Sequence, residues 1–381
     1  MRVLSGIGPV PGEDGNYDVA DLDEDQVRAI LDSLRQLDRR TLARELDSCA
    51  RSSASDRTTL GILRVLARYG DSEDLRLAVH AANSRQQAGG MEPGLHAALR
   101  ETVRRILGRD PRGYTSMTEL LRRADEEVAY TVAVAVADAG LPRGLDTLTT
   151  LLGWKGEFNA VLLRQVGRLA AVCEAPAGRP VLAVVRSYLH SDEPREASEA
   201  AIASGRLEDF DALEPLIGLL RHADPVVQGS AAWSLSRMSG LSYPPDPTAW
   251  RAWLATEEEW MESVAPRLVR GLGDRDPAIV MEALNEFSRR RYRRDFVAGW
   301  ITAVLDRGSA PLRRLACTAL GRLGSKAAIP ALTRCMGDSD LEVASEAMTS
   351  LKAITGRDLP PDPGIWTTFS SLDAGDRPSR E

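Results

Sequence analysis

At 381 residues the chain is long enough for two or three ordinary domains or for one extended repeat array. Hydrophobic residues make up 43%, enough for a sizeable core, while a net charge of −7 argues against a general nucleic-acid binder, which needs a basic footprint. Aromatic residues are only 5%, and the abundance of Ala, Leu and Arg favours helices over strands.

Cys49, Cys173, Cys317 and Cys335 stand in no CxxC or other metal-ligand spacing, which suits buried thiols in a reducing compartment. The opening residues, Met1 to Pro9, lack the continuous apolar core of a signal peptide. No run of about 18 apolar residues occurs, so no membrane span is expected and the chain reads as cytoplasmic.

Residues 1–21 are rich in Gly, Pro and Asp without periodicity and read as a flexible tail. A helix is expected to open at Asp23, with Gln26 as a capping-box partner and Val27, Ile30, Leu31, Leu34 and Leu37 on its apolar face. It begins a helical region, 22–110, of divergent repeats. From about residue 57 onward, short amphipathic helices alternate with turns built on Gly, Asp or Pro, and no alternating strand pattern stands out.

The clearest unit is 311–354. Leu312, Leu315, Ala316, Ala319, Leu320 and Leu323 fall at offsets 0, 3, 4, 7, 8 and 11, one continuous helical stripe that Gly324 ends. A second helix follows through Ile329, Leu332 and Met336, and a third through Val343, Ala347, Leu351 and Ile354. Similar helix starts recur near Asp125, Asp192, Asp224, Asp276, Gly308 and Asp340, and Pro180, Pro215, Pro266 and Pro330 sit in a common register. Proline costs nothing in a first turn, where its missing amide has no helical partner. A helix-pair period of thirty-odd residues predicts an all-α, α-solenoid fold over 111–356.

A longer repeat lies over this one. A shift of 116 residues places Asp224 on Asp340, Val227 on Val343, Ala231 on Ala347, Leu235 on Leu351, Met238 on Ile354 and Gly240 on Gly356. The loop Pro244-Pro245-Asp246-Pro247 falls on Pro360-Pro361-Asp362-Pro363, Trp250 on Trp366, and Trp253 on Phe369. This defines an inserted PPDP/Trp extension at 241–256 and a second at 357–381 that runs into a C-terminal tail.

The run from Leu315 through Gly324 to Leu332 resembles bacterial HEAT repeats of the phycobilisome-lyase type, and the PPDP/Trp segment resembles an extension some of those proteins carry after a repeat. The resemblance is carried most by 210–366 and least by the residues before 110. It implies a superhelical stack of helix pairs whose second helices, near 226–238, 277–290, 311–323 and 341–354, line the concave side.

Trp250, Trp253 and Trp366 can be read as clamps holding each extension to its neighbouring repeat or as exposed anchors for a partner; clamping is the favoured reading. Arg289, Arg290, Arg291, Tyr292, Arg293 and Arg294 form the densest positive run. Its plain reading is a helix end complementing the dipole; its functional reading is a patch gripping an acidic segment or phosphates. Glu257-Glu258-Glu259 reads as a capping box with Thr256, opening a new helix. His80, His96, His190 and His222 are scattered, and no dinucleotide loop, phosphate loop, nucleophile elbow or HExxH is present.

The expectation is therefore a non-enzymatic protein–protein interaction scaffold or adaptor. No catalytic residue, cofactor or metal is assigned, the partner is a protein of unspecified identity, and nucleic acid is disfavoured. Two alternatives stand: a bilin lyase or isomerase acting on a carrier protein, which the resemblance implies, and nucleic-acid binding through the Arg289–Arg294 patch.

Overall fold

The structure is a computed structural model that describes residues 55–173 and 176–357, with isolated positions 41, 44, 48, 360 and 362. The expected tail at 1–21, the helix at Asp23, Cys49, Trp366 and Phe369 lie outside the described residues.

Among the described residues there are helices and no strands. The chain divides by its contacts into two compact units, Met1–Gly156 and Glu157–Glu381. The sequence-level boundary at residue 110 falls inside the first. That unit contains α1 (Asp56–Tyr69), α2 (Leu75–Gly89), α3 (Pro93–Arg109), α4 (Tyr114–Arg123), α5 (Glu126–Asp138) and α6 (Arg143–Thr150). Helices α1, α3 and α5 pack side by side in that order, and the ladder continues across residue 110, where His96 and Arg100 of α3 meet Thr131 and Asp138 of α5.

The second unit contains α7 (Asn159–Val172), α8 (Arg179–Ser187), α9 (Pro194–Leu207), α10 (Leu213–Leu219), α11 (Pro225–Ser239) and α12 (Pro247–Ser263), then α13 (Ala265–Gly271), α14 (Pro277–Ser288), α15 (Arg294–Arg307), α16 (Ala310–Leu323), α17 (Ile329–Cys335) and α18 (Leu341–Thr355). The second helix of each pair stacks on the next, α7 on α9 on α11 and α14 on α16 on α18, while α8, α10, α15 and α17 back them. This is the α-solenoid arrangement expected from the period.

Local chemistry explains the helix ends. Asp224, Asp246, Asp276 and Asp340 each accept a hydrogen bond from the amide two residues ahead, at 2.7–3.0 Å. Three of them are followed by proline at the first helical position. Gly240, Gly324 and Gly356 end α11, α16 and α18 in the left-handed region, at φ 77°, 68° and 68°.

The stacking helices approach closely because small residues face each other. A Cβ on Gly205 of α9 would lie 2.9 Å from the Ser234 Cα of α11; on Gly321 of α16 it would lie 3.1 Å from the Ser350 Cα of α18. Ser234 donates to the Ala201 carbonyl at 2.7 Å and Ser350 to the Cys317 carbonyl at 2.8 Å. These two arrangements are the same arrangement, 116 residues apart. The duplicated loops agree as well: the Asp246 amide donates to the Pro244 carbonyl at 2.7 Å, and that of Asp362 to Pro360 at 2.8 Å.

Three expectations need correction. After the PPDP turn, α12 runs unbroken from Pro247 to Ser263, past the expected limit of the extension at 256. Thr256 therefore caps nothing; its hydroxyl donates to the Ala252 carbonyl at 2.9 Å inside that helix. The physical reason is that Asp246 caps first and Pro247 starts the helix, leaving no break before Glu257. Finally, α14 ends at Ser288, two residues short of the expected 290.

Candidate functional site

The sequence singled out two places, and the structure brings them together. Trp250 is fully buried, its indole N–H donates to the Pro244 carbonyl at 3.1 Å, and its ring meets Tyr243 and Trp253 edge-on at 5.1 and 5.8 Å. Trp253 in turn meets Tyr292 at 6.3 Å, and Tyr292 meets Phe210 at 5.8 Å. A line of rings thus runs from the PPDP turn through α12 into the arginine run.

Most of that run is engaged within the molecule. Tyr292 is 3% exposed. Arg290 pairs with Glu257 at 3.0 Å and lies over the Trp260 ring at 4.5 Å. Arg293 pairs with Asp211 at 3.1 Å, and the Arg294 Nε donates to Glu208 at 2.7 Å. Arg291 is exposed and lies beside Gly240; Arg289 is exposed and makes a 3.5 Å contact to Glu286 in its own helix. Glu208 and Arg293 are also the two non-glycine residues with positive φ among the described residues, at 57° and 48°. Each costs roughly 1 kcal/mol or more, and both sit where the 208–211 turn docks on the 290–294 turn. The arrangement is that of a junction between repeats: its arginines are bonded to Glu257, Asp211 and Glu208 and are not gathered on an open face.

Elsewhere, two of the histidines have structural partners. His96 bonds to the Thr131 hydroxyl at 2.7 Å, and His222 accepts the Asp224 amide at 3.0 Å. No group of three or more His, Cys, Asp or Glu suited to a metal occurs among the described residues. Cys173, Cys317 and Cys335 are buried and unbridged. A recess of about 490 Å³ in the first unit is lined by Ala67, Arg68, Tyr69, Arg105 and Arg109. Arg109 there donates to the carbonyls of Leu66 and Gly70 at 3.2 and 2.9 Å, so it closes the end of α1.

The face of α7, α9 and α11 differs. On α11, Val227, Ala231 and Leu235 point into the core, while Val226, Gly229, Trp233 and Arg237 form a second stripe, also at helical spacing, that points out. Trp233 is 42% exposed and Val226 66%. Arg206 of α9 and Arg237 each place a guanidinium 5.7 Å from the centre of the Trp233 ring. Helix 226–238 is among the contact helices that the resemblance implies, but Trp233 is not among the expected site residues. The available signal was its position: it lies two residues from both Ala231 and Leu235, which puts an indole on the side of the helix that the core does not claim.

Residues 297–362 match the family of HEAT repeats. No curated protein matches the chain. Similar solved structures include an engineered protein at 16% identity and a TM-score of 0.31, covering 88% of this chain and 92% of that one. They also include the karyopherin Kap121p bound to the extreme C-terminus of the protein phosphatase Cdc14p, at 12% identity and a TM-score of 0.42, covering 87% of this chain and 40% of that one. A designed armadillo repeat protein in complex with the peptide (KR)4 is similar at 17% identity and a TM-score of 0.28, covering 63% and 98%. The chain thus spans less than half the length of the karyopherin it resembles. No described helix is long and apolar enough to cross a membrane.

Proposed function

We propose that this protein is a non-enzymatic scaffold that holds a protein partner on the open face of its stacked helices, in the cytoplasm. The observation that carries this reading is Trp233. A rigid aromatic left 42% exposed beside arginines is the composition that dominates binding energy at protein interfaces. The three buried thiols fit a reducing compartment.

The test is affinity purification of the tagged full chain from its native cells, with cross-linking to locate the contact. One protein recovered in near-stoichiometric amount and cross-linked to α7, α9 or α11 is the expected result. Recovery of no such protein, or bilin transfer to a carrier with turnover by the purified chain, would overturn it.

A further inference from the structure

The geometry points to an acidic peptide segment as the partner, its carboxylates gripped by Arg206 and Arg237 and its apolar side chains laid against Trp233 and Val226. This rests on the scaffold reading and adds the chemistry of what is held.

Charge supports it first. Helices α7, α9 and α11 carry five arginines against two glutamates in a chain whose net charge is −7. Both glutamates are taken: Glu196 bonds to Asn159 and Ser191 at 2.9 and 2.6 Å, and Glu199 to Arg164 at 2.7 Å. Helix α11 has no acidic residue.

Second is what the two guanidiniums lack. At three other turns of this unit arginine meets carboxylate: Arg186 with Asp209, Arg290 with Glu257, Arg313 with Asp338. Arg206 and Arg237 make no ion pair or hydrogen bond among the described residues, and each lies over the ring of Trp233 instead. Contact with a ring face leaves the in-plane N–H donors of a guanidinium free, and those donors match a carboxylate two at a time. Both cations lie 5.7 Å from the centre of one ring, so an acidic segment laid against Trp233 can reach either of them.

Third is the comparison between the duplicated halves. The buried set Ala201, Gly205 and Ser234 has its counterpart in Cys317, Gly321 and Ser350, with the same hydrogen bond. On the surface, Arg206 corresponds to Arg322, but Trp233 corresponds to Thr349 and Arg237 to Ala353. The packing that stacks the helices is common to both copies and needs no tryptophan at this position. The Trp–Arg cluster is a property of the first copy alone.

The test uses the full chain and a fluorescein-labelled Glu/Leu peptide, with matched Lys/Leu and Gln/Leu peptides and a single-stranded oligonucleotide as controls, read by anisotropy. The Glu/Leu peptide should bind at least about tenfold tighter than either control peptide and weaken as salt rises. Arg206→Glu with Arg237→Glu, and separately Trp233→Ala, should each cost about tenfold or more. Arg206→Gln with Arg237→Gln keeps the side-chain stems and guards against misfolding, and circular dichroism should show each variant folded. Equal binding of the three peptides, no binding at low salt, undiminished binding by the Gln variant, or tighter binding of the oligonucleotide would overturn the inference. A native partner retained in full by the Arg206→Glu, Arg237→Glu variant would sink the acidic-segment assignment while leaving the scaffold reading in place.

Discussion

Glycine inside a helix costs about 1 kcal/mol relative to alanine, so each one kept there needs a reason. Gly205 has one: a Cβ would lie 2.6, 2.7 and 2.9 Å from the Oγ, Cβ and Cα of Ser234, and backbone cannot step aside as a flexible side-chain end can. Gly299, inside α15, is exposed and would meet nothing within 4 Å. Gly205→Ala should therefore destabilise by about 1–3 kcal/mol through forced separation of α9 and α11. Gly299→Ala should stabilise by roughly 0.5–1 kcal/mol. Urea denaturation of both variants tests this; a stabilised Gly205→Ala would mean the helices do not touch there. Charge at single residues makes a second test. Arg104 chiefly, with Arg105, pulls Glu101 from its usual 4.5 down to about 2, and Arg112 chiefly, with Ser72, holds Asp110 well below the usual carboxylate range. A carboxylate whose folded value is depressed contributes stability above its unfolded value and loses it as pH falls through the folded one. The share from Glu101 should thus drain between about pH 4.5 and 2, and that from Asp110 should persist to lower pH. The slope across that window should be shallower in Glu101→Gln; an unchanged slope would show that the pairing is solvent-screened to nothing.

At the scale of elements, the inserted extension is a helix whose first turns are anchored by Trp250, while Trp260 and Glu257 hold its far end. Trp250 is fully buried and joins the PPDP turn to Trp253 and, through it, to Tyr292. Trp250→Ala should cost about 3–5 kcal/mol and release the first turns of α12, so that the amides there exchange hydrogen faster than those of α16. Equal protection in both helices would show that the extension is held by something else. The helices themselves were legible in the sequence because their signals are local: Asp224, Asp276 and Asp340 cap where expected, and Gly240, Gly324 and Gly356 stop where expected. The expected limit of the extension at 256 falls short of the end of α12 because Thr256 and Glu259 have the spacing of a capping box, and spacing alone does not reveal that Asp246 has already opened a helix through them. The destination of the arginine run was not legible either. Its partners, Glu208, Asp211 and Glu257, lie 33 to 86 residues away, and no local pattern encodes which turn meets which. Trp233 was half legible: its position off the apolar stripe is in the sequence, but the flanking guanidinium of Arg206 comes from another helix.

At the scale of the second unit, a simple solenoid would let each repeat touch only its neighbours, and its ends would fray independently. Contacts here break that rule, among them the Arg293–Asp211 pair, the Phe210–Tyr292 rings and two more. Glu208, after α9, binds Arg294 at the start of α15, and the Lys326 ammonium donates to the Cys173 carbonyl at the end of α7, across 153 residues. The first is a partly buried pair whose side chains are 17% and 13% exposed, so reversing one charge leaves two like charges facing each other with little water between them. Glu208→Arg or Arg294→Glu alone should cost roughly 3 kcal/mol, and the double exchange should recover much of that, because the pair is restored with its polarity inverted. The single variants should also change cooperativity. In the natural chain, α9 and α15 should lose amide protection together over one urea transition, because the Glu208–Arg294 contact links them in addition to the stack. With either single reversal, the two helices should separate into distinct transitions. Separate transitions already present in the unaltered chain would mean that these distant contacts are decoration on an ordinary linear stack, and additive single and double variants would mean that Glu208 and Arg294 do not sense each other at all.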